Sequence, residues 1–190
     1  MALALIAAAV SCSKPVFTKQ EKALINVEGN VMKVFTIAVP EDSLVLRQPC
    51  KNFSDAELKS ETYKTLATKM IATVTDPQWD GVGIAGPQVG LSRRVVAVLR
   101  YDKPDTPFEV YPNIVLEPAT EEKCVGREGC LSVPDFRGVV NRYTSVKITY
   151  TDPESLERVS EVIEGFTAVI FQHECDHLDG ILYIDKLELL

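Results

Sequence analysis

The chain has 190 residues, of which 46% are apolar and 25% are charged, and its formal net charge is −7. This length suits one domain that buries its own core without disulfide bonds or a structural metal. The acidic charge and the lack of a Lys/Arg block argue against nucleic-acid binding driven by counterion release. Five cysteines without regular spacing favour a reduced compartment or a metal site over a disulfide framework.

Residues 1–12, MALALIAAAVSC, form an apolar run that is too short to span a bilayer. The run resembles the apolar region of a bacterial signal peptide, and its end is similar to a lipoprotein processing site with Cys12 as the lipidated residue. No Lys or Arg precedes the run, however, and translation from Met32 is an equal alternative. We therefore predict an N-terminal extension at residues 1–31, with its origin open, and one folded domain at residues 32–190.

The first predicted elements are a strand and a helix. A short strand covers residues 31–39 and is stopped by Pro40. A helix covers residues 52–76, because Ser54 and Glu57 form a capping-box pattern ahead of apolar residues at helical spacing. The apolar face of this helix consists of Leu58, Leu66, Met70, Ile71 and Val74.

The later elements are mostly extended. The glycine-rich segment GVGIAGPQVG at residues 81–90 leads into a β-branched strand at residues 94–99. Residues 108–118 are extended, and residues 143–165 alternate as a hairpin around TDPES. The last element is the apolar helix FTAVIFQHECDHL, which follows Gly165. This order predicts an α+β fold in which antiparallel sheets pack around a central C-terminal helix.

That helix carries both histidines of the chain, His173 and His177, with Glu174 beside the first. Residues four apart lie on one face of a helix, so both imidazoles can bind the same metal ion. The pattern is H-E-x-x-H, in which the carboxylate takes a proton from metal-bound water. We therefore predict a catalytic metal site on the C-terminal helix.

A catalytic site of this type uses three protein ligands and leaves one position open. No histidine follows His177, and Glu188 lies at a terminus that can fray, so an upstream cysteine is the preferred third ligand. Cys175 faces another side of the helix and suits the core. Cys130, within the Gly- and Pro-flanked stretch REGCLSVP, is preferred over Cys124, which stays an alternative.

Three segments together resemble, in order and spacing, the signature motifs of the peptide deformylases. They are GVGIAGPQVG at 81–90, EGCLS at 128–132 and QHECDH at 172–177. The resemblance implies a hydrolase that removes the N-formyl group from formyl-methionyl peptides of newly made proteins and releases formate. It also implies a cytoplasmic monomer, associated with ribosomes and without specific nucleic-acid binding. Anchoring to a membrane through Cys12 is the alternative location.

The resemblance further implies a metal and a base. Cys130, His173 and His177 would bind one divalent ion, with Fe(II) as the first expectation and Zn(II), Ni(II) or Co(II) as alternatives. A water would take the fourth position and act as the nucleophile, and Glu174 would be the general base.

The same resemblance assigns the residues that contact the substrate. Gln88 and the backbone N–H of Leu131 would stabilise the oxyanion formed at the formyl carbon. Gly83, the backbone around Ile84 and Arg137 would contact the peptide. Two other function classes stay open, namely a metalloprotease that cuts internal peptide bonds and a binding module that retains only the fold.

Overall fold

The computed structural model describes residues 17–188, so Cys12 and its predicted lipidation lie outside the described residues. The helices in this range are α1 (Lys19–Ile25), α2 (Pro40–Leu46), α3 (Asp55–Leu58), α4 (Glu61–Val74) and α5 (Gly165–Leu178), with 3₁₀ turns at Gly86–Val89 and Tyr183–Lys186. The strands are β1 (Gly83–Ala85), β2 (Val95–Leu99), β3 (Phe108–Pro112), β4 (Val115–Pro118), β5 (Lys123–Cys130), β6 (Val133–Tyr143), β7 (Ser145–Thr151) and β8 (Arg158–Glu164). Within residues 17–188, no helix has the length and apolar character needed to cross a bilayer.

The strands pair antiparallel and form three sheets in the described part of the chain: β1-β2-β3, β4-β7-β8 and the hairpin β5-β6. Helix α5 packs against strands of all three. Its buried Phe171 and Leu178 join Val96 and Ile148 in one apolar cluster, while α4 covers the other side of β1 and β2. The predicted α+β fold, with antiparallel sheets around the C-terminal helix, is confirmed.

The strand predicted at residues 31–39 is wrong, because this segment does not pair with another strand. Its backbone instead bonds to two turns, the 3₁₀ turn at Gly86–Val89 and the turn between β5 and β6. The N–H of Phe35 donates to the carbonyl of Gln88 at 2.8 Å, and the N–H of Ile37 donates to the carbonyl of Ser132 at 2.9 Å. The proline that follows starts α2, since Pro is well tolerated in the first turn of a helix.

The helix predicted at residues 52–76 is two helices, α3 and α4. The capping box of Ser54 and Glu57 is confirmed, but it starts only the four-residue α3. A second cap at Ser60, whose side chain accepts from the N–H of Tyr63, starts α4. The predicted apolar face is buried except for the half-buried Ile71; its other members are Leu58, Leu66, Met70 and Val74.

The hairpin of β5 and β6 was not predicted, since its glycines and prolines obscure the strand pattern. Its register breaks between Gly129 and Cys130, which is a β-bulge. A bulge bends a strand and redirects the next side chain. Here it ends β5 beside α5 with Cys130 at the tip. The hairpin predicted at residues 143–165 is confirmed as β7 and β8.

Residues 17–31, which the sequence analysis sets outside the folded domain, pack against α4 and the core. Ile25 is fully buried, and Phe17 belongs to the same apolar cluster. The carboxylate of Glu21 pairs with Arg93 at 2.5 Å. Because these contacts join α1 to the core, residues 17–31 are part of the folded unit.

Candidate metal centre

Three donor atoms meet where α5 passes the tip of the β5-β6 hairpin. In the described part of the chain, Cys130, His173 and His177 each offer one atom, and these atoms lie within 4.8 Å of one another. The Sγ of Cys130 is 3.2 Å from the Nε2 of His177. The two imidazole centroids are 5.2 Å apart, as the four-residue spacing on α5 requires.

This donor set fits a metal ion. Bonds of about 2.3 Å to sulfur and about 2.0–2.1 Å to nitrogen give a separation of roughly 3.5 Å between the two ligand atoms in a tetrahedron. The observed separation of 3.2 Å between Cys130 and His177 is close to that value. A thiolate with two imidazoles suits Zn(II), Fe(II) and neighbouring divalent ions.

Glu128 fixes the orientation of His173. Its Oε2 lies 2.8 Å from the Nδ1 of His173, which leaves Nε2 to face the cluster. Arg142 donates to both oxygens of Glu128, at 2.7 and 2.9 Å. Burial raises the pKa of Glu128, but the hydrogen bonds with Arg142 and His173 outweigh it and lower the pKa to about 2. A carboxylate on the outer nitrogen of a ligand histidine sets its tautomer and strengthens its donor atom.

The pKa values of the two histidines are shifted in opposite directions. Burial lowers the pKa of His173, but hydrogen bonds with Cys130 and Glu128 raise it to about 10. The pKa of His177 lies well below its ordinary value because the ring is buried and faces the charge of His173. A metal ion binds neutral imidazole, so a metal at this cluster would have to displace the proton that His173 shares with Cys130 and Glu128.

Glu174 is buried beside the cluster and lines the same cavity. Burial raises its pKa to about 7, with the charge of His173 acting in the opposite direction. Within residues 17–188, its Oε2 has no hydrogen-bond partner. A Cβ on Gly83 would lie 2.5 Å from its Oε1, so this position admits only glycine unless the carboxylate moves. A buried, unpaired carboxylate with a pKa near neutrality is suited to proton transfer.

Gln88 is buried with its amide held towards the cluster. Its Oε1 accepts from the N–H of Ala85 at 2.8 Å, and its Nε2 donates to the Sγ of Cys130 at 3.6 Å. Leu131 follows Cys130 in the turn of the hairpin and lines the cavity. The two predicted oxyanion donors therefore both lie next to Cys130.

A cavity of about 920 Å³ opens onto the cluster between β1, the hairpin tip and the first turns of α5. Seven predicted site residues line it: Gly83, Gln88, Cys130, Leu131, Arg137, His173 and Glu174. Sequence reasoning missed its apolar wall, which consists of Trp79, Val82, Phe136, Phe166, Val169 and Ile170. Phe166, Val169 and Ile170 lie three and four residues apart on α5, so their spacing places them on one face of that helix. Trp79, Val82 and Phe136 come from other segments, and no spacing in the sequence connects them with α5.

Strand β1 is an edge strand, and the backbone groups of Gly83 and Ile84 face opposite sides of it. Bonded pairs alternate along antiparallel strands. Because the N–H of Leu99 donates to Val82, the backbone groups of Ile84 face β2 and those of Gly83 face outward to the cavity. The peptide contact expected from the Ile84 backbone therefore lacks support, and Ile84 instead contributes a fully buried side chain to the core.

Comparison with known proteins agrees with this geometry. Residues 32–190 match the family model described as polypeptide deformylase. A peptide deformylase of Leptospira biflexa serovar Patoc is 35% identical over 165 residues, which cover 83% of this chain and 88% of that protein.

Solved structures extend the likeness to three dimensions. The class I type b peptide deformylase of Acinetobacter baumannii, crystallised with Met-Ala-Ser bound, has a TM-score of 0.71 and 39% identity, over 83% of this chain and 98% of that one. The peptide deformylase of Thermotoga maritima has a TM-score of 0.72 and 31% identity, over 84% of this chain and 99% of that one. With three metal donors, a buried carboxylate and this match over most of its length, the chain belongs to the polypeptide deformylase family.

Proposed function

We propose that Cys130, His173 and His177 hold one divalent ion and that Glu174 is the general base of the family reaction. This reaction is the metal-dependent removal of the N-formyl group from newly made formyl-methionyl peptides. One water is consumed, and the products are formate and a peptide with a free amino-terminal methionine. The observation that carries the proposal is the convergence of the three donors. Two of them, Cys130 and His173, line one cavity together with the buried carboxylate of Glu174.

The residues divide the chemical work. A divalent ion, when bound, lowers the pKa of a water ligand and polarises the formyl oxygen. Glu174, with a pKa of about 7, takes the proton of the attacking water and returns it to the leaving amine nitrogen. Gln88, through Nε2, and Leu131, through its backbone N–H, donate to the oxygen that gains negative charge at the formyl carbon.

The cavity also suits the peptide. The outward backbone groups of Gly83 at an edge strand can pair with an extended main chain. The apolar wall, which includes Phe136 and Phe166, provides a surface for an unbranched methionine side chain. The relative from Acinetobacter baumannii has been crystallised with Met-Ala-Ser bound, which supports a peptide in the corresponding cavity here.

The position of the third ligand in the sequence distinguishes this function from that of a protease that cuts internal peptide bonds. Such enzymes with the H-E-x-x-H pattern take the third ligand from downstream of the second histidine. Here Cys130, from the upstream hairpin, stands beside His177. The family resemblance puts Fe(II) first, with Zn(II), Ni(II) or Co(II) as substitutes, and a thiolate ligand makes an iron site sensitive to oxygen.

The test is release of formate from formyl-Met-Ala-Ser by the full chain, loaded with Fe(II) or Ni(II) without oxygen. Glu174→Gln should retain the metal and lose about 10²- to 10⁴-fold in kcat. Cys130→Ser should lose metal as well as activity. Glu157→Gln, on the exposed loop before β8, removes the same charge and should match the parent. Absence of formate from the folded, metal-loaded parent would refute the proposal.

We further propose a cytoplasmic monomer whose catalytic domain is residues 32–190, with residues 17–31 packed on it. Sedimentation of the purified chain tests the monomer. Co-sedimentation with ribosomes tests the association that the resemblance implies. Cell fractionation of the full chain and its Cys12→Ala variant separates the cytoplasmic location from a lipidated one.

A further inference from the structure

Two arginines share the face of the β5-β6 hairpin that borders the catalytic cavity. Arg137 lies opposite Gly129 in the hairpin, and Arg127 lies two residues before Gly129 on β5. Side chains two apart on a strand share a face, and diagonal neighbours across a strand pair lie within about 7–8 Å. Both arginines line the cavity from this one face of the hairpin.

Neither guanidinium is paired in the part of the chain that the structure describes. Among residues 17–188, Arg127 and Arg137 form no hydrogen bond or ion pair. Every other arginine in this range is bonded: Arg47, Arg93, Arg94, Arg100, Arg142 and Arg158. The net charge of the chain is −7, so acidic partners are abundant. Arg127 and Arg137 at the catalytic cavity nevertheless differ from the other described arginines, because they are not paired with an acid.

The hairpin directs these two groups to the cavity and keeps the local acids apart from them. A Cβ on Gly129 would lie 3.4 Å from the Cγ and 3.7 Å from the Cζ of Arg137, so this side chain folds over the glycine. Glu128, between Gly129 and Arg127, points to the opposite face and bonds to Arg142. The exposed acids that share these walls are Asp80, Asp135 and Glu188, and none of them pairs with either arginine in the described structure.

The metal cluster sets the position of a peptide relative to this pair. Gly83, Gly129 and Arg127 line the cavity together with Cys130, so a peptide whose formyl group lies at Cys130 would pass Gly129 and then Arg127 if it extends along β5. A strand and an extended peptide both advance about 3.3 Å per residue. Arg127 is three residues from Cys130, so it lies beside the third residue of the peptide.

We propose that Arg127 and Arg137 together bind a substrate carboxylate at the third residue of the formyl-methionyl peptide. The carboxylate is either an Asp or Glu side chain or the terminal carboxylate of a tripeptide. Two planar guanidinium groups match the geometry of this anion and repel a Lys or Arg side chain at the same place. This inference rests on the proposed function and adds a preference for acidic peptides to it.

Four formylated tripeptides in two pairs test the proposal, and formyl-Met-Ala-Lys amide is added for one variant. Formyl-Met-Ala-Glu amide against formyl-Met-Ala-Gln amide isolates the side chain, and formyl-Met-Ala-Ser against its amide isolates the terminal carboxylate. The parent should favour at least one anionic member by about 3- to 20-fold in kcat/KM, mainly through KM and less at high salt. Arg127→Gln should bring the favoured ratio close to one, and Arg127→Glu should favour formyl-Met-Ala-Lys amide. Lys22→Gln, an equal charge change on the exposed surface of α1, should leave the ratio unchanged.

The outcomes distinguish failure of the arginine pair from failure of the deformylase function. Formate released at equal rates from all four peptides, or a preference that survives Arg127→Gln, would overturn the arginine pair and leave the deformylase function intact. No formate from any peptide would overturn the proposed function and this inference with it. A preference confined to the free terminus would assign the pair to short peptides, and a preference for the Glu side chain would assign it to protein sequence.

Discussion

Gly83→Ala adds one methyl group beside the carboxylate of Glu174. The added Cβ would lie 2.5 Å from Oε1, whereas real Cβ atoms essentially never approach a heavy atom within 3.0 Å. The carboxylate must therefore retreat by at least 0.5 Å, the difference between these distances. Helix α5 leaves little room for this, because Glu174 is buried and lies between His173 and His177 on the helix. The substitution thus displaces the general base without removing it.

The expected cost follows from the role of the base. General acid–base catalysis contributes about 10²- to 10⁴-fold, and a misplacement of about 1 Å can cost 10²-fold. We expect Gly83→Ala to lower kcat for formyl-Met-Ala-Ser by about 10²-fold while the protein still binds its metal. In a Glu174→Gln background the same substitution should cost far less, since the two changes act on one group.

Gly126→Ala is the matched control. It makes the same chemical change on β5, where a Cβ would meet nothing within 4 Å, and its activity should stay within about twofold of the parent. Formate release, metal content and melting temperature are measured for all variants without oxygen. A folded, metal-loaded Gly83→Ala enzyme with kcat near the parental value would refute the claim that this glycine is required for the position of the base.

Three further substitutions test the surrounding structure. Ile25→Ala, on α1, should lower stability by about 2–5 kcal/mol, seen as a fall in melting temperature of about 5–15 °C; no change would mean that α1 does not contribute to the core. Tyr183→Phe removes a hydroxyl that donates to the carbonyl of Phe136 at 2.8 Å but keeps the ring stacked on a metal ligand, so it should cost about 1–3 kcal/mol in urea unfolding and raise KM more than it lowers kcat. Asp102→Asn removes the negative charge and one of the two oxygens that accept from Arg100, and these hold the pKa of Asp102 below its ordinary value. Its destabilisation should be full at pH 7 and fade as the pH falls below about 4, because protonation of the parent removes the same charge; a difference that persists in acid would contradict this origin.

The part of the site that the sequence predicted is the part set by local geometry. His173, Glu174 and His177 lie within two turns of one helix, so their spacing alone places two imidazoles and a carboxylate together. The prediction of Cys130 required more than helical spacing, because this residue reaches the cluster from a different element. Gly/Pro flanks indicated a rigid position for it, but only the joint resemblance of three motifs separated it from Cys124.

Tertiary contacts explain where the prediction of elements was wrong. Residues 31–39 have the apolar character of a strand, yet their N–H groups donate to Gln88 and Ser132 in two loops, so no strand partner is needed. The break between α3 and α4 had a local cause in Ser60, whose hydroxyl competes with helix continuation and caps the second helix. Ser60, which Glu61 follows, was therefore the indication in the sequence that a second helix begins there.

The register of β5 before the bulge at Gly129 and Cys130 determines which way the side chains of Glu128 and Arg127 point. Strand side chains alternate between faces, so Glu128 turns to His173 while Arg127 turns to the cavity. A slip of one residue in β5 would exchange these faces, placing an acid where the substrate carboxylate is proposed to bind and an arginine against a metal ligand. No composition or motif records this distinction, because both residues are charged and adjacent. The register of one hairpin therefore supplies both the hydrogen bond that orients a metal ligand and the positive charge that we propose selects the peptide.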